Sequence, residues 1–199
     1  MNIKSTRSIQ SLSEVLMTPD ATGPETAYWV FENISKGKWN NITILVSGRY
    51  EREYPKTYGH YHISSQEIEC SKIISGSGIF MLQKKFYDSE GNWVPNKIES
   101  VYFVKSVAPP AEIVMIPKEY AHSWINIGDM PLVIYDDWRE PKNGDESHTY
   151  NEIENLRGMA YYIVEGSDGT LEVIPNPLYN DIPEPLWVTS EEFNYLSRK

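Results

Sequence analysis

The chain has 199 residues and a formal net charge of -10, a size that suits one domain of about 100–200 residues with a core of its own. The acidic excess weighs against nucleic acid and anionic membrane surfaces as partners, since both call for clustered Lys and Arg. A single cysteine, Cys70, excludes an intramolecular disulfide and any zinc site built on several cysteines.

The N-terminal stretch MNIKSTRSIQSLSEVL lacks the apolar run and small-residue cleavage site of a secretion signal. No segment approaches the roughly 20 apolar residues of a membrane span, so a cytoplasmic protein is expected. The sequons Asn33-Ile34-Ser35 and Asn41-Ile42-Thr43 then read as chance matches. Within residues 5–17, Ile9, Leu12, Val15 and Leu16 fall at helical spacing behind a Ser/Thr start, which predicts a short amphipathic helix. Thr18 to Glu25 reads as a turn.

From Tyr28 onward the period shortens. Runs at Ala27–Ile34, Asn41–Val46, Cys70–Ile74, Ile79–Lys85, Val101–Val107, Ile113–Ile116, Leu132–Tyr135, Ala160–Val164 and Thr170–Ile174 are apolar or alternating, with turn residues between them. Many short strands at such spacing predict an all-β sandwich or barrel. Ser89-Glu90-Gly91-Asn92 and Ser167-Asp168-Gly169 have the composition of hairpin turns. Pro175 to Lys199 carries four prolines and a weak amphipathic segment, Ser190–Leu196, and reads as an extended arm or short helix packed on the barrel or a partner subunit. The division expected is an N-terminal helix and turn over 1–26, a barrel over 27–175 and an arm over 176–199, all in one domain.

Histidine is scarce, with only His60, His62, His122 and His148. Strand residues two apart share a face, so Gly59-His60-Tyr61-His62 presents two imidazoles side by side. Glu67 and Glu69 follow; being two apart themselves, parity does not choose between them. Further on, Pro117 to Asn126 forms a turn into a strand that carries His122, with Trp124 and Asn126 on the same face. A lone His-x-His pair is commonplace. The joint order of a histidine pair, an acid, a glycine and a distant third histidine in a β-rich chain is far less so. Three neutral imidazoles and one carboxylate suit Fe(II), Mn(II), Ni(II) or Zn(II), with positions left open for substrate or water.

These two clusters resemble the paired motifs of the cupin superfamily, and most closely those of the archaeal-type cupin phosphoglucose isomerases. The phrases that carry the likeness are Lys56-Thr57-Tyr58-Gly59-His60-Tyr61-His62, Glu69 with Gly76-Ser77-Gly78, Ile116 to Pro131, His148-Thr149-Tyr150 and Asn176-Pro177-Leu178-Tyr179. The resemblance implies a small antiparallel cupin barrel (a double-stranded β-helix, or jelly roll) and one divalent ion, Fe(II) first, on His60, His62, Glu69 and His122. It implies an isomerase that interconverts glucose 6-phosphate and fructose 6-phosphate, with Thr43, Thr57 and Gly59 holding the sugar phosphate. His148 and Tyr150 match a phrase near the mouth of the site. On this basis Glu69 is the expected base, His148 the alternative proton carrier, and Tyr150 or Tyr61 the group that orients the sugar.

Three departures fall near the sugar. Trp138 and Ser71 stand where tyrosines are common, and the Tyr135–His148 connection is longer. They bear on substrate identity, leaving a dioxygenase, another sugar isomerase or epimerase, or a non-enzymatic sugar-phosphate binder as competing readings. A homodimer is expected, paired through strands near Tyr28, Trp29 and Phe31.

Overall fold

The structure, a computed structural model, describes residues 1–63, 68–107, 112–139 and 148–198. In chain order the elements are β1 (Asn2–Ser8), α1 (Ile9–Leu12) with a 3-10 turn at Ser13–Val15, β2 (Thr26–Glu32), β3 (Asn41–Leu45), β4 (Tyr61–His62), β5 (Glu69–Ser75) and β6 (Ser77–Tyr87). There follow β7 (Trp93–Val107), β8 (Val114–Ile116), β9 (Tyr120–Asn126), β10 (Leu132–Asp136), β11 (His148–Thr149), α2 (Asn151–Asn155), β12 (Tyr161–Glu165), β13 (Leu171–Pro175), β14 (Leu186–Val188) and α3 (Ser190–Leu196).

Two sheets form a flattened β-barrel, as the alternating runs predict, of the jelly-roll type that the cupin resemblance implies. The larger has the order β1-β2-β3-β10-β5-β8 and the smaller β14-β7-β6-β9. All pairings in them are antiparallel except β14 with β7. The chain passes from the large sheet to the small one at Gly76, the single residue between β5 and β6. Its φ is +90°, and a Cβ there would lie 2.8 Å from the Pro131 carbonyl oxygen, so only glycine fits this corner.

Phe80 of β6 stacks on Trp124 of β9 at 4.1 Å in the core between the sheets. A second apolar layer covers the outer face of the small sheet, where Tyr161 and Trp187 meet Phe103, while on the opposite face Phe193 of α3 packs on Tyr102 and Tyr120, which share the parity of His122 and Trp124. Both predicted hairpin turns form, each with its glycine at positive φ, +83° at Gly91 and +78° at Gly169. The Ser190–Leu196 segment is a helix closed by a Thr189–Glu192 capping box.

The N-terminus departs from the expected helix. Residues 2–8 pair with β2 as an edge strand, and only Ile9–Leu12 turns into a helix, capped by the Ser8 side chain. The apolar positions at helical spacing all lie after residue 8. The preceding Lys4-Ser5-Thr6-Arg7 has no apolar alternation, because one side of β1 is exposed and the other faces a polar cavity. Cys70 is half-buried on β5, where its backbone N–H donates to Asp137 Oδ1.

Candidate metal centre

The segment before β4 runs antiparallel along the free edge of β9. Thr57 N–H donates to the Trp124 carbonyl at 2.8 Å, Trp124 N–H donates to Thr57 Oγ1 at 3.0 Å, and His122 N–H donates to the His60 carbonyl at 3.1 Å. This pairing sets His60 opposite His122. Gly59, at φ +84° with Met159 packed beneath it, makes the turn just before His60. Glu69 comes from the other sheet: it opens β5 with the same parity as Ser71 and Ile73, both buried inward.

One donor atom each from His60, His62, Glu69 and His122 lie within 4.8 Å of one another. Two ligands about 2.1 Å from a common ion are about 3 Å apart when adjacent and about 4.2 Å when opposite, so the four side chains are already near coordinating distance. Glu69 Oε2 is 2.7 Å from His62 Nε2 and 3.5 Å from His122 Nε2. His62, Glu69 and His122 are only 2%, 6% and 6% exposed. A carboxylate so deeply placed needs a strong partner, and His62 Nδ1 is buried with no hydrogen-bond partner among the described residues. Three imidazoles converging on one carboxylate fit a divalent first-row ion.

Trp138 stacks flat on His62 at 3.9 Å and 24°, which fixes the plane of the ring. Its carbonyl is held by the Asn40 and Asn41 side-chain amides at 2.9 and 3.0 Å. Ser71 Oγ accepts from Trp124 Nε1 at 3.0 Å. The Asp136 carboxyl is pushed up to about 8, by burial first and by the neighbouring Glu69 carboxylate second.

The cluster opens into a cavity of about 240 Å³ between the sheets. Of the residues singled out from sequence, Thr43, Thr57, Gly59, Trp138 and Tyr150 line it with the four ligand residues. Tyr61 does not. It lies between two histidines that face inward, so strand parity turns it outward, where it packs on Trp93 and its hydroxyl accepts from Gln83 Nε2 at 3.1 Å. The backbone of His148 pairs with that of His62, while its side chain lies outside the described part of the structure. Glu67 also lies outside the described residues.

The sequence model of the glucose-6-phosphate isomerase (GPI) family matches residues 32–178. The chain belongs to the glucose-6-phosphate isomerase family. Relatives include the glucose-6-phosphate isomerases of Pyrococcus abyssi, 30% identical over 138 residues, and Thermococcus onnurineus, 31% identical over 140. Each match covers 68% of this chain and 61% of the relative. Among solved structures, the capsular polysaccharide assembling protein CapF from Staphylococcus aureus overlays with a TM-score of 0.42 at 16% identity, over 62% of this chain and 31% of that one.

In this glucose-6-phosphate isomerase family member, sequence reasoning missed Lys4, Ser5 and Arg7, which line the cavity from β1, together with Asn41 and Asp136. The β1 residues were hidden by the helical reading of the N-terminus. Asn41 and Asp136 both carried a usable signal: Asn41 shares the cavity-facing parity of Thr43 on β3, and Asp136 is a carboxylate on the face of β10 otherwise formed by Leu132 and Ile134. No helix among the described residues is long and apolar enough to cross a membrane.

Proposed function

We propose that the chain is a metal-dependent aldose–ketose isomerase that interconverts glucose 6-phosphate and fructose 6-phosphate, with Fe(II) as the resident ion and Mn, Ni or Zn as substitutes. The observation that carries this reading is the convergence of His60, His62, Glu69 and His122 on one point in the wall of a cavity of about 240 Å³, in a member of this family. That volume lies just below the usual range of small-molecule sites, about 300–1,000 Å³, and suits a single compact ligand. When bound, a divalent ion supplies Lewis acidity toward the substrate carbonyl.

The remaining chemistry falls to side chains of the cavity. Two routes serve an aldose–ketose isomerase, a hydride shift between C2 and C1 and an enediol route. The enediol route removes the proton from C2 of the open-chain aldose, places a proton on O1 to give an enediol, then takes the proton from O2 and returns one to C1. Glu69 is the proposed proton carrier between C2 and C1, being the one carboxylate within the cluster. His148 is the candidate for ring opening and for the proton between O1 and O2. Thr43, Thr57 and the Gly59 backbone are proposed to donate to the sugar phosphate, and Tyr150 and Trp138 to bound the sugar. A homodimer in the cytoplasm, serving glycolysis and gluconeogenesis, completes the reading.

The test is to load the purified chain with Fe(II) or Mn(II), measure the bound ion, and follow conversion of fructose 6-phosphate with and without chelator. Chelator-sensitive conversion is expected, with Glu69→Gln retaining some ion while losing turnover. A metal-loaded protein that converts neither sugar phosphate would refute the proposal, and full turnover in Glu69→Gln would refute the assignment of the base.

A further inference from the structure

β1 is the one strand of the large sheet that lies wholly before the family match at residues 32–178, yet it lines the cavity. The register with β2 slips between Ile3 and Ser5, where Ile3 faces Phe31 and Ser5 faces Val30. This bulge at Lys4 lets Lys4, Ser5 and Arg7 all reach the cavity, which a regular strand would not allow for positions of mixed parity. Lys4 and Arg7 are the cationic residues that line it, in a chain of net charge -10. Its acidic lining residues are Glu69, within the candidate metal cluster, and Asp136, whose Oδ1 accepts from the Asn41 side-chain amide and the Trp138 N–H. With an ion in place, the cavity is a local positive well in an acidic protein.

Arg7 is also oriented. Its guanidinium lies 4.8 Å from the centre of the Tyr58 ring and 5.5 Å from that of Tyr150, and those rings meet edge to face at 5.4 Å and 88°. Burial pushes the Tyr28 hydroxyl pKa up, and the positive charge of Arg7 pulls it down against that larger effect. Tyr58 is anchored in turn, its hydroxyl lying 2.7 Å from Glu14 Oε2 and 2.9 Å from Glu154 Oε1. Aromatic packing on the flat of a guanidinium holds the plane while its N–H fork stays directed edgewise, the geometry that grips phosphate oxygens in pairs.

We propose that Arg7, assisted by Lys4, is the determinant of substrate charge: it holds the phosphate of the sugar and so selects a phosphorylated hexose over a neutral one. This rests on the sugar-phosphate reading above and adds to it a residue from outside the family-matched segment. Arg7 acts here in binding and orientation, remote from the proton transfer at C1 and C2.

The test is calorimetric binding of fructose 6-phosphate to the Mn(II)-loaded full chain, as wild type, Arg7→Gln and Arg7→Lys. Loss of a charge-assisted hydrogen bond should weaken binding by about 10- to 100-fold in Arg7→Gln, with partial recovery in Arg7→Lys. Mn(II) affinity and melting temperature should stay at the wild-type values, and turnover should show a raised KM with little change in kcat. Fructose 6-phosphate affinity within about threefold of wild type in Arg7→Gln would overturn the proposal. So would a loss that appears only together with loss of Mn(II) or of the fold, which marks a packing role, and so would a wild type that binds no fructose 6-phosphate. A wild type that binds it through Arg7 without converting it would support the charge determinant and refute the isomerase reading, so the two failures are separable.

Discussion

Replacing Glu53 by Gln should destabilise the protein through a charge it leaves behind. Glu53 Oε1 lies 2.6 Å from Lys56 Nζ, with the two side chains only 2% and 5% exposed. Lys56 Nζ also donates to the Val15 carbonyl at 2.5 Å and lies 4.8 Å over the Tyr162 ring, while Glu53 Oε2 accepts the Met17 N–H at 2.7 Å. Gln keeps an acceptor for Met17, so the perturbation is the lost negative charge. Removing one partner of a buried pair costs about 3–5 kcal/mol, because the other is stranded. The Val15 carbonyl and the Tyr162 face remain for the ammonium, which places this case at the low end, about 3 kcal/mol. At about 2–4 °C per kcal/mol for a chain of this size, the melting temperature should fall by about 6–12 °C. Lys56 immediately precedes the Thr57–His62 segment, so metal occupancy at the reduced melting temperature should fall with it. Adding Lys56→Met to Glu53→Gln should restore most of the loss, since an apolar stem of similar volume replaces the stranded ion. Thermal unfolding followed by circular dichroism reads all three proteins. A shift below about 2 °C in Glu53→Gln, or a double variant less stable than the single one, would refute the reasoning.

Three further outcomes are expected. An ion held at a hundred times its dissociation constant adds about 2.7 kcal/mol, so EDTA should lower the melting temperature of the loaded protein by about 5–11 °C, and His122→Ala should abolish that difference; identical melts with stoichiometric ion bound would contradict the site. Gly59→Ala forces a side chain into φ +84° with Met159 Cγ and Sδ at 3.2 Å, which should cost about 1–2 kcal/mol and weaken metal binding through the adjacent His60; an unchanged melt and unchanged metal titration would count against it. Because the Asp136 pKa is raised in the folded chain, from 3.8 to about 8, the unfolded chain ionises first as pH rises. Stability from this group is therefore present below about pH 4 and is lost progressively up to about pH 8. In EDTA, Asp136→Asn, which keeps the acceptor for Asn41 and Trp138, should become more stable relative to wild type over that window; a gap that stays flat with pH would exclude the effect.

The legibility of the site follows strand parity. His60 and His62 were readable as one face because alternation is built into a strand, and His122 and Trp124 likewise. The same rule turns Tyr61 away, and its nearness in sequence to the ligands made it look like a site residue. Glu69 was readable by type and position, and the pairing of β5 with β10, which sets Ser71 against Asp136, places it on the inward face; Glu67 lies outside the described residues. Gly76 was readable as a turn; that the turn carries the chain from one sheet to the other depends on contacts with Pro131 and Leu132, distant in sequence. The N-terminal strand was illegible for a physical reason: its buried side meets a polar cavity, so the apolar alternation that marks strands is absent.

The four candidate ligands come from both sides of the barrel. His60, His62 and His122 belong to the edge segment and β9 of the small sheet, and Glu69 to β5 of the large one. An ion bound there ties the two sheets at the end of the cavity, so its binding energy acts on closure of the barrel as well as on catalysis. The same placement reconciles an acidic chain with an anionic ligand. Charges farther apart than about 8–10 Å are largely screened at physiological salt, and the surface acids face solvent. A phosphate inside the cavity would meet what lines it: Lys4, Arg7, the carboxyls of Glu69 and Asp136, the hydroxyls of Ser5, Thr43 and Thr57, and any ion held by the histidine–glutamate cluster. Net charge therefore bears on which large polyanions the surface repels, while under the proposed function the bulge in β1 and the parity of β5 would set which small anion the interior accepts.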